Sequence, residues 1–426
     1  HQLDGTMRVY RGRLTGLRQR QRMPPNLYLE ESMLHVRCFR TLGMLALFIT
    51  LGHWNASAQQ IKTVFVIAME NHNWAQPANQ FTGGIQQIYQ NPNAPFTNSL
   101  VNGSAFAIVD GSTVHLSEQV AYATAYHNVL ATPGGNNPHI HPSEPSYLWA
   151  EAGTNFGVLN DNDPYSPKGP TNQDTPLHLS NLLTQAGKTW KSYQEDIDLA
   201  SSGGQLTNFP LPQDQWTVPL TSFSGNFVSG LNAYNGSSQY NYAAKHNPMV
   251  FFTDSNGGND ATPANPLSTQ YAPLQQLLTD LSNNAVADYN WITPNQFNDM
   301  HSGLTGDAAN IRQGDDFLSQ IVPIIMASNA YKDHGVIILW WDEAESDGVA
   351  GDNADDFNHT IGEIIISSRA HKNVDGIPYA SPLNLTHSSD LRIMQEVFHV
   401  GPFLGDAANA TDLSDLFDPG AIPKKP

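Results

Sequence analysis

Thr63-Val-Phe-Val-Ile-Ala-Met69 runs directly into Glu70-Asn71, and far downstream Gly335-Val-Ile-Ile-Leu-Trp-Trp341 runs directly into Asp342-Glu343. Short runs rich in Val and Ile suit central strands covered on both faces. Ligands of open α/β sheets gather beyond the carboxyl ends of such strands. Carboxylate and amide oxygens delivered there from distant parts of the chain point to a divalent cation and a phosphate-like substrate.

Working outward, further strands are expected at Ala105 to Val109, Thr189 to Tyr193, Met249 to Thr253, Tyr289 to Thr293 and Glu363 to Ser367. Helical spacing connects several of them. Leu177, Leu182 and Leu183 lead to Gly187, a natural stop; Leu274, Leu277, Leu278 and Leu281 repeat at helical intervals; Phe317, Ile321, Ile324 and Ile325 do so after the acidic pair Asp315-Asp316. Strands alternating with helices predict an α/β fold, a mostly parallel central sheet with helices on both faces. The stretches Asn155 to Gln173 and Ser201 to Ser238 are rich in Gly, Asn, Ser and Pro, and read as long surface excursions or a substrate-shaping cap. Neither reads as a linker between two cores, so residues 59–426 are expected to form one domain.

Residues 33–58 read as an export signal: Arg37 and Arg40 supply the basic start, Leu42 to Leu51 the apolar stretch, and Ala56-Ser57-Ala58 a cleavage site. So short an apolar run falls below the roughly 20 residues of a spanning helix. The expectation is a secreted or periplasmic protein with no stable membrane anchor, and residues before Met33 read as upstream sequence outside the fold. Of 20 Lys plus Arg and 39 Asp plus Glu, residues 1–58 hold eight Arg and three acids, which leaves 12 against 36 and a net charge of −24 for residues 59–426. Such a surface repels nucleic acid and anionic membranes. An anionic substrate then needs a locally positive site, which a metal ion supplies. The sole cysteine, Cys38, lies in the signal, so stability must come from the core.

Several segments carry chemistry. Glu70-Asn71 sets a charged ligand beside a carboxamide, and both can reach one ion or its bound phosphate; taken alone, the commonplace reading is a strand ending in a polar turn. In His139-Ile-His-Pro-Ser-Glu-Pro-Ser-Tyr147, Ser143 stands between two prolines at the start of a helix running through Tyr147 and Trp149. Backbone N–H groups and the positive dipole end there favour a phosphate dianion, and a serine deprotonated beside a cation is an in-line nucleophile. The plainer alternative is a helix-capping serine. His139 and His141 are candidate proton donors or polar loop residues. Asp342-Glu343 follows the most apolar strand, where paired carboxylates repel unless a cation neutralises them. His359 precedes another apolar strand, as a ligand or a satisfied core histidine. Asp299 and His301 offer an acid and an imidazole within three residues. Trp190-Lys-Ser-Tyr-Gln-Glu-Asp196 and Lys245-His246-Asn247-Pro248 read as an amphipathic edge and a strand-entry turn.

Taken together and in order, Glu70-Asn71, His141-Pro-Ser-Glu-Pro-Ser-Tyr147, Trp190-Lys-Ser-Tyr193, His246-Asn247-Pro248, Thr293-Pro-Asn-Gln-Phe-Asn-Asp-Met-His301, Trp341-Asp342-Glu343 and Asn358-His359-Thr360 resemble the phosphoesterase family. That family holds bacterial acid phosphatases and non-haemolytic phospholipases C and belongs to the alkaline phosphatase-like superfamily. The resemblance runs from about Lys62 to Val400. It implies that Glu70, Asn71, Asp342 and Glu343 hold a divalent metal and that Ser143 is the phosphorylated nucleophile. Asp299, His301 and His359 match the region that binds a second metal in some superfamily members and touches phosphate in others, with His246 also on the phosphate-facing side. Ser146 departs from the pattern, standing where the family usually has the Asn of Pro-Asn-Tyr.

The reading is a secreted, metal-dependent phosphomonoesterase of acid phosphatase type. Ser143 attacks phosphorus, imidazoles at His301, His359 or His246 steady the oxygens or protonate the leaving group, and water then hydrolyses the phosphoserine. Protonated imidazoles would serve best at mildly acidic pH. A phospholipase C type phosphodiesterase uses the same core with a diacylglycerol leaving group, and the two long excursions would decide between them. An exported non-catalytic protein that traps phosphate or metal is the alternative of another class. Oxygen ligands admit Ca²⁺, Mg²⁺ or Mn²⁺, and imidazoles admit Zn²⁺, as one ion or two.

Overall fold

The computed structural model describes residues 60–74, 87–128, 140–203, 205–226, 239–301, 306–345 and 359–423. The export signal, His139, Asn358 and the end of the second excursion lie outside them. Eight strands build the central sheet: β1 (Thr63–Met69), β2 (Val120–His127), β3 (Trp190–Gln194), β4 (Tyr271–Pro273), β5 (Tyr289–Thr293), β6 (Gly335–Trp341), β7 (Glu363–Ile366) and β8 (Tyr379–Thr386). Their order is β4-β3-β5-β1-β6-β7-β2-β8, and every neighbouring pair is parallel except those that β7 makes with β6 and β2. This is the mostly parallel α/β sheet that the apolar runs predict. All seven residues of β6 are buried, and successive strand residues face opposite sides, so both faces of the sheet are covered.

Six helices of seven residues or more accompany the sheet among the described residues: α1 (Pro95–Asn102), α2 (Ser143–Ala152), α3 (Leu179–Gln185), α4 (Gln276–Ser282), α5 (Asp307–Met326) and α6 (His387–Phe398). Ala150 of α2 and Asp390, Leu391 and Met394 of α6 meet Val66, Trp291 and Trp340 around a small internal cavity, which places these two helices on one face. Helix α1 packs with α5. Asp315, expected at the start of its helix, lies in the third turn of α5. Its carboxylate accepts from Phe96 N and Thr97 N (both 2.8 Å) and Thr97 Oγ1 (2.7 Å). Those amides belong to the first turn of α1, whose own N-cap, Ala94, has no side chain to offer.

Two sequence expectations change. Met249 to Thr253 is not a strand: Pro248–Phe251 forms a 3₁₀ turn and Thr253–Asn256 a short helix. An apolar run alone does not separate a buried strand from a buried helix, and Pro248 at the first position favours the helical turn. Phe106–Val109 is a strand, but it pairs only with Ser112–His115 in a two-stranded hairpin outside the main sheet. Asp110 and Gly111 turn the chain there with φ of 50° and 80°, the left-handed pair that tight hairpins require. Strands β2, β4 and β8 went unread: β2 is rich in alanine, β4 has three residues, and β8 contains Pro382 at a register shift between Ser381 and Asn384.

One buried ion cluster steadies the far end of α2. His178, fully buried, lies between Glu151 of α2 (Nδ1 to Oε2, 3.1 Å) and Asp254 (Nε2 to Oδ1, 2.6 Å), and Ser180 N and Oγ also donate to Glu151. Burial alone would pull the imidazole down, but the hydrogen bonds to Asp254 and Glu151 outweigh it and raise its pKa to about 9. A raised folded-state pKa contributes stability that is fully present below the unfolded value near 6.5 and is lost as pH rises through 9. In urea titrations, the parent is expected to lose on the order of 3 kcal/mol more than a His178→Gln variant between pH 6.5 and 9. Parallel pH profiles would contradict this role.

Candidate active site

Strands β1 and β6 pair residue for residue, from Thr63 with Gly335 to Met69 with Trp341, so both end at one level. Asp342 N continues the ladder to Met69 O at 3.2 Å, and Asn71 N donates to Asp342 Oδ1 at 3.0 Å. Asn71 sits at φ 41°, a left-handed conformation that Asn tolerates better than most residues. Its Nδ2 donates to Glu345 Oε1 (2.7 Å), which fixes the amide and leaves Oδ1 buried with no hydrogen-bond partner among the described residues. His387 holds the Asp342 carbonyl at 2.6 Å through Nε2 while Nδ1 accepts from the Trp340 indole at 2.9 Å, which sets the ring's tautomer.

Ser143 is the first residue of α2, after the non-helical Pro142. Its Oγ lies 3.1 Å from Glu70 Oε2 and 3.1 Å from Glu343 Oε1, so the hydroxyl can give its proton to either carboxylate. One turn on, Tyr147 donates its phenol O–H to Glu70 Oε1, and His141 Nδ1 pairs with Glu343 Oε2. Beyond β5, Asp299 accepts from Glu70 N through its carbonyl (2.8 Å) and from His301 N through Oδ1 (2.8 Å). His246 stacks on the Tyr147 ring at 5.0 Å, with Nε2 3.2 Å from Glu70 Oε1 and Nδ1 3.8 Å from Asp299 Oδ2. Glu70, His246 and Asp299 thus each offer one ligand atom, all within 4.8 Å of one another.

The structure therefore gathers Ser143, Glu70, Asn71, Asp342, Glu343, Asp299, His246 and His301 in one place. His359 is buried just before Ile361, which bridges to Asn73 in the segment leaving β1. Ser146 is buried, with an Oγ that has no hydrogen-bond partner among the described residues. Sequence reading missed His72, whose Nδ1 lies 3.0 Å from Glu70 O, and the partners Tyr147 and Glu345. Spacing held a signal for Tyr147, which stands one helical turn beyond Ser143 and so lies on the same side of α2. The Glu195-Asp196 pair also matters. Glu195 accepts from Asn295 N (2.7 Å) and Asn298 Nδ2 (2.9 Å), and so shapes the loop that carries Asp299 and His301.

The charges are not balanced by the protein alone. Burial, then Asp342 and Asp299, drives the Glu70 carboxyl well above its usual range. Burial and Glu343 do the same to Asp342, and burial lifts Asp299 to about 8. The imidazoles move the other way: burial, then Lys245, holds His246 well below 6.5 and brings His301 to about 4. For these two rings the shift runs against the expectation of protonated imidazoles in mild acid. A neutral imidazole among carboxylates is a donor set for a cation. The buried atoms without hydrogen-bond partners among the described residues include Asn71 Oδ1, Asp342 Oδ2, Asp299 Oδ2, His246 Nε2 and His72 Nε2, and these are ligand-type atoms. The cluster could bind a metal.

A family model described as the Phosphoesterase family matches residues 50–401. A probable acid phosphatase from Kluyveromyces lactis is 26% identical over 209 residues, which is 49% of this chain and 39% of that protein. The chain thus spans about two-fifths of the length of that relative. A phosphatidylinositol-3-phosphatase from Mycobacterium tuberculosis is 22% identical over 390 residues, covering 89% of this chain and 94% of that one. A solved structure of a Vibrio parahaemolyticus protein in the alkaline phosphatase superfamily aligns with a TM-score of 0.40 at 10% identity, over 84% of this chain and 72% of that chain.

Tyr147 fixes the Glu70 carboxylate through its hydrogen bond to Oε1, and such bonds to ligand groups strengthen metal sites. Tyr147→Phe is expected to weaken Mn²⁺ binding by about 10- to 100-fold in calorimetric titration of the metal-free protein. Unchanged affinity would show that Glu70 does not face the ion.

Proposed function

The chain belongs to the phosphoesterase family, and from that premise we propose that it hydrolyses phosphate monoesters by transferring the phosphoryl group to Ser143 and then to water. The observation that carries this reading is the Ser143 hydroxyl, at the N-terminus of α2 and 3.1 Å from each of two buried carboxylate oxygens. Glu70, Asn71, Asp342 and Glu343 would hold a divalent cation, and Glu70 with His246 and Asp299 forms a donor group for a second. When bound, such a cation supplies the positive charge that favours a deprotonated serine and polarises the phosphoryl oxygens.

The protein's own groups do the rest. Glu70 or Glu343 takes the Ser143 proton, Oγ forms a bond to phosphorus, and the bond from phosphorus to the ester oxygen breaks in line on the opposite side, that oxygen taking up a proton from solvent as the carboxylate gives up the one it took. The positive dipole end of α2 favours the phosphoryl charge. His301 and His359, on the phosphate-facing side, donate N–H bonds to its oxygens. Water then attacks the phosphoserine, releasing phosphate and returning the proton to Ser143. Tyr147 and His141 hold the two carboxylates in position throughout. Both relatives described above are named as phosphatases, which supports a monoester rather than a phospholipid diester as substrate. In this reading residues 33–58 export the protein and residues 59–426 are its catalytic domain.

On p-nitrophenyl phosphate, Ser143→Ala is expected to lower kcat by at least about 10³-fold. Chelation should abolish turnover by the parent, and an added divalent ion should restore it. Hydrolysis that survives the substitution, or that ignores the chelator, would sink the serine mechanism or its metal dependence.

A further inference from the structure

Among the described residues, one lysine stands next to the site's acids. Lys245 directly precedes His246, and its side chain is only 16% exposed. Its Nζ lies 2.9 Å from Asp161 Oδ2, and Asp161 Oδ1 accepts from Glu144 N at 3.1 Å, an amide of the first turn of α2 next to Ser143. A single carboxylate from the Asn155 to Gln173 excursion therefore holds the ammonium against the helix end that carries the nucleophile. A lysine held by a carboxylate presents an ammonium, with no acceptor. Its charge acts on Glu70, Asp299, His246 and His301 alike.

An ammonium has three N–H donors. Among the described residues, Asp161 takes the one hydrogen bond found for Lys245, which leaves two donors on an ammonium that Asp161 ties to Glu144 N, the amide next to Ser143. A phosphate monoester near neutral pH carries up to two negative charges and a diester carries one. A fixed ammonium rewards the extra charge through a charge-assisted hydrogen bond, about twice the strength of a neutral one.

We propose that Lys245, positioned by Asp161, is the substrate-facing cation that makes this site prefer the monoester dianion over a diester. The inference rests on the monoesterase reading above. It also gives the first excursion a specific role, since the excursion sets the reach of Lys245 and through it the choice of ester class.

The test compares kcat/KM for p-nitrophenyl phosphate and bis-p-nitrophenyl phosphate in the parent, Lys245→Gln, Lys245→Met and Lys245→Arg, together with competitive inhibition by inorganic phosphate. Each neutral variant should lose about 10- to 100-fold on the monoester and under about 3-fold on the diester, and phosphate should inhibit it at least about 10-fold more weakly. Lys245→Arg should stay within about 5-fold of the parent on both esters. Equal losses on the two esters, or unchanged phosphate inhibition, would overturn the assignment. If Lys245→Met does not fold, Lys245→Gln and Lys245→Arg decide the matter. A parent that turns over neither ester would refute the monoesterase reading, whereas a parent active on the monoester whose neutral variants lose both activities equally refutes the role of Lys245 alone.

Discussion

The seven-residue parallel register between β1 and β6 is the constraint from which the rest of the site follows. Because the strands end at the same level, Glu70 and Asp342 emerge side by side with Asn71 and Glu343, taken out of water and within repelling distance. Burying even one uncompensated carboxylate costs several kcal/mol. Among the described residues the surroundings offer hydroxyls, a phenol and imidazoles, along with one ammonium already paired with Asp161. None of these offsets the acids Glu70, Asp342 and Glu343. The fold holds together a group of acids that protons or a bound cation would neutralise, and the cluster could bind a metal.

The same imbalance shapes the dependence on acidity. Glu70, Asp342 and Asp299 bind protons more tightly than ordinary carboxyls, while His246 and His301 bind them less tightly. A divalent cation held there would therefore compete with protons mainly at the carboxylates. Away from the site, His178 works in the opposite sense, because it stays charged in mild acid and ties the end of α2 to two carboxylates. The helix that presents Ser143 is thus anchored at its far end by a contact that acid strengthens.

Much of this was legible in the chain. Strands β1, β5 and β6 match the sequence reading at both ends, because buried parallel strands leave unbroken runs of Val, Ile and aromatic residues. Glu70, Asn71, Asp342 and Glu343 stood out as polar groups closing such runs, and Ser143 as a serine at a proline-flanked helix start. The rest depends on tertiary placement that local pattern does not carry. Tyr147 looked like one more apolar helix residue until its hydroxyl met Glu70, and Lys245 looked like a turn residue until Asp161 held it beside α2. Met249 to Thr253 misled because burial, which its composition reported correctly, is shared by strands and helical turns.

The central claim is that the acids at the ends of β1 and β6 hold a cation while Ser143 faces phosphorus. A crystal structure of the full chain grown with Mn²⁺ and orthovanadate, with anomalous scattering to locate the metal, tests it most directly. The account expects an ion ligated by Glu70 and Asp342, with vanadium bonded to Ser143 Oγ. An ion bound elsewhere, or vanadate held away from Ser143, would contradict it.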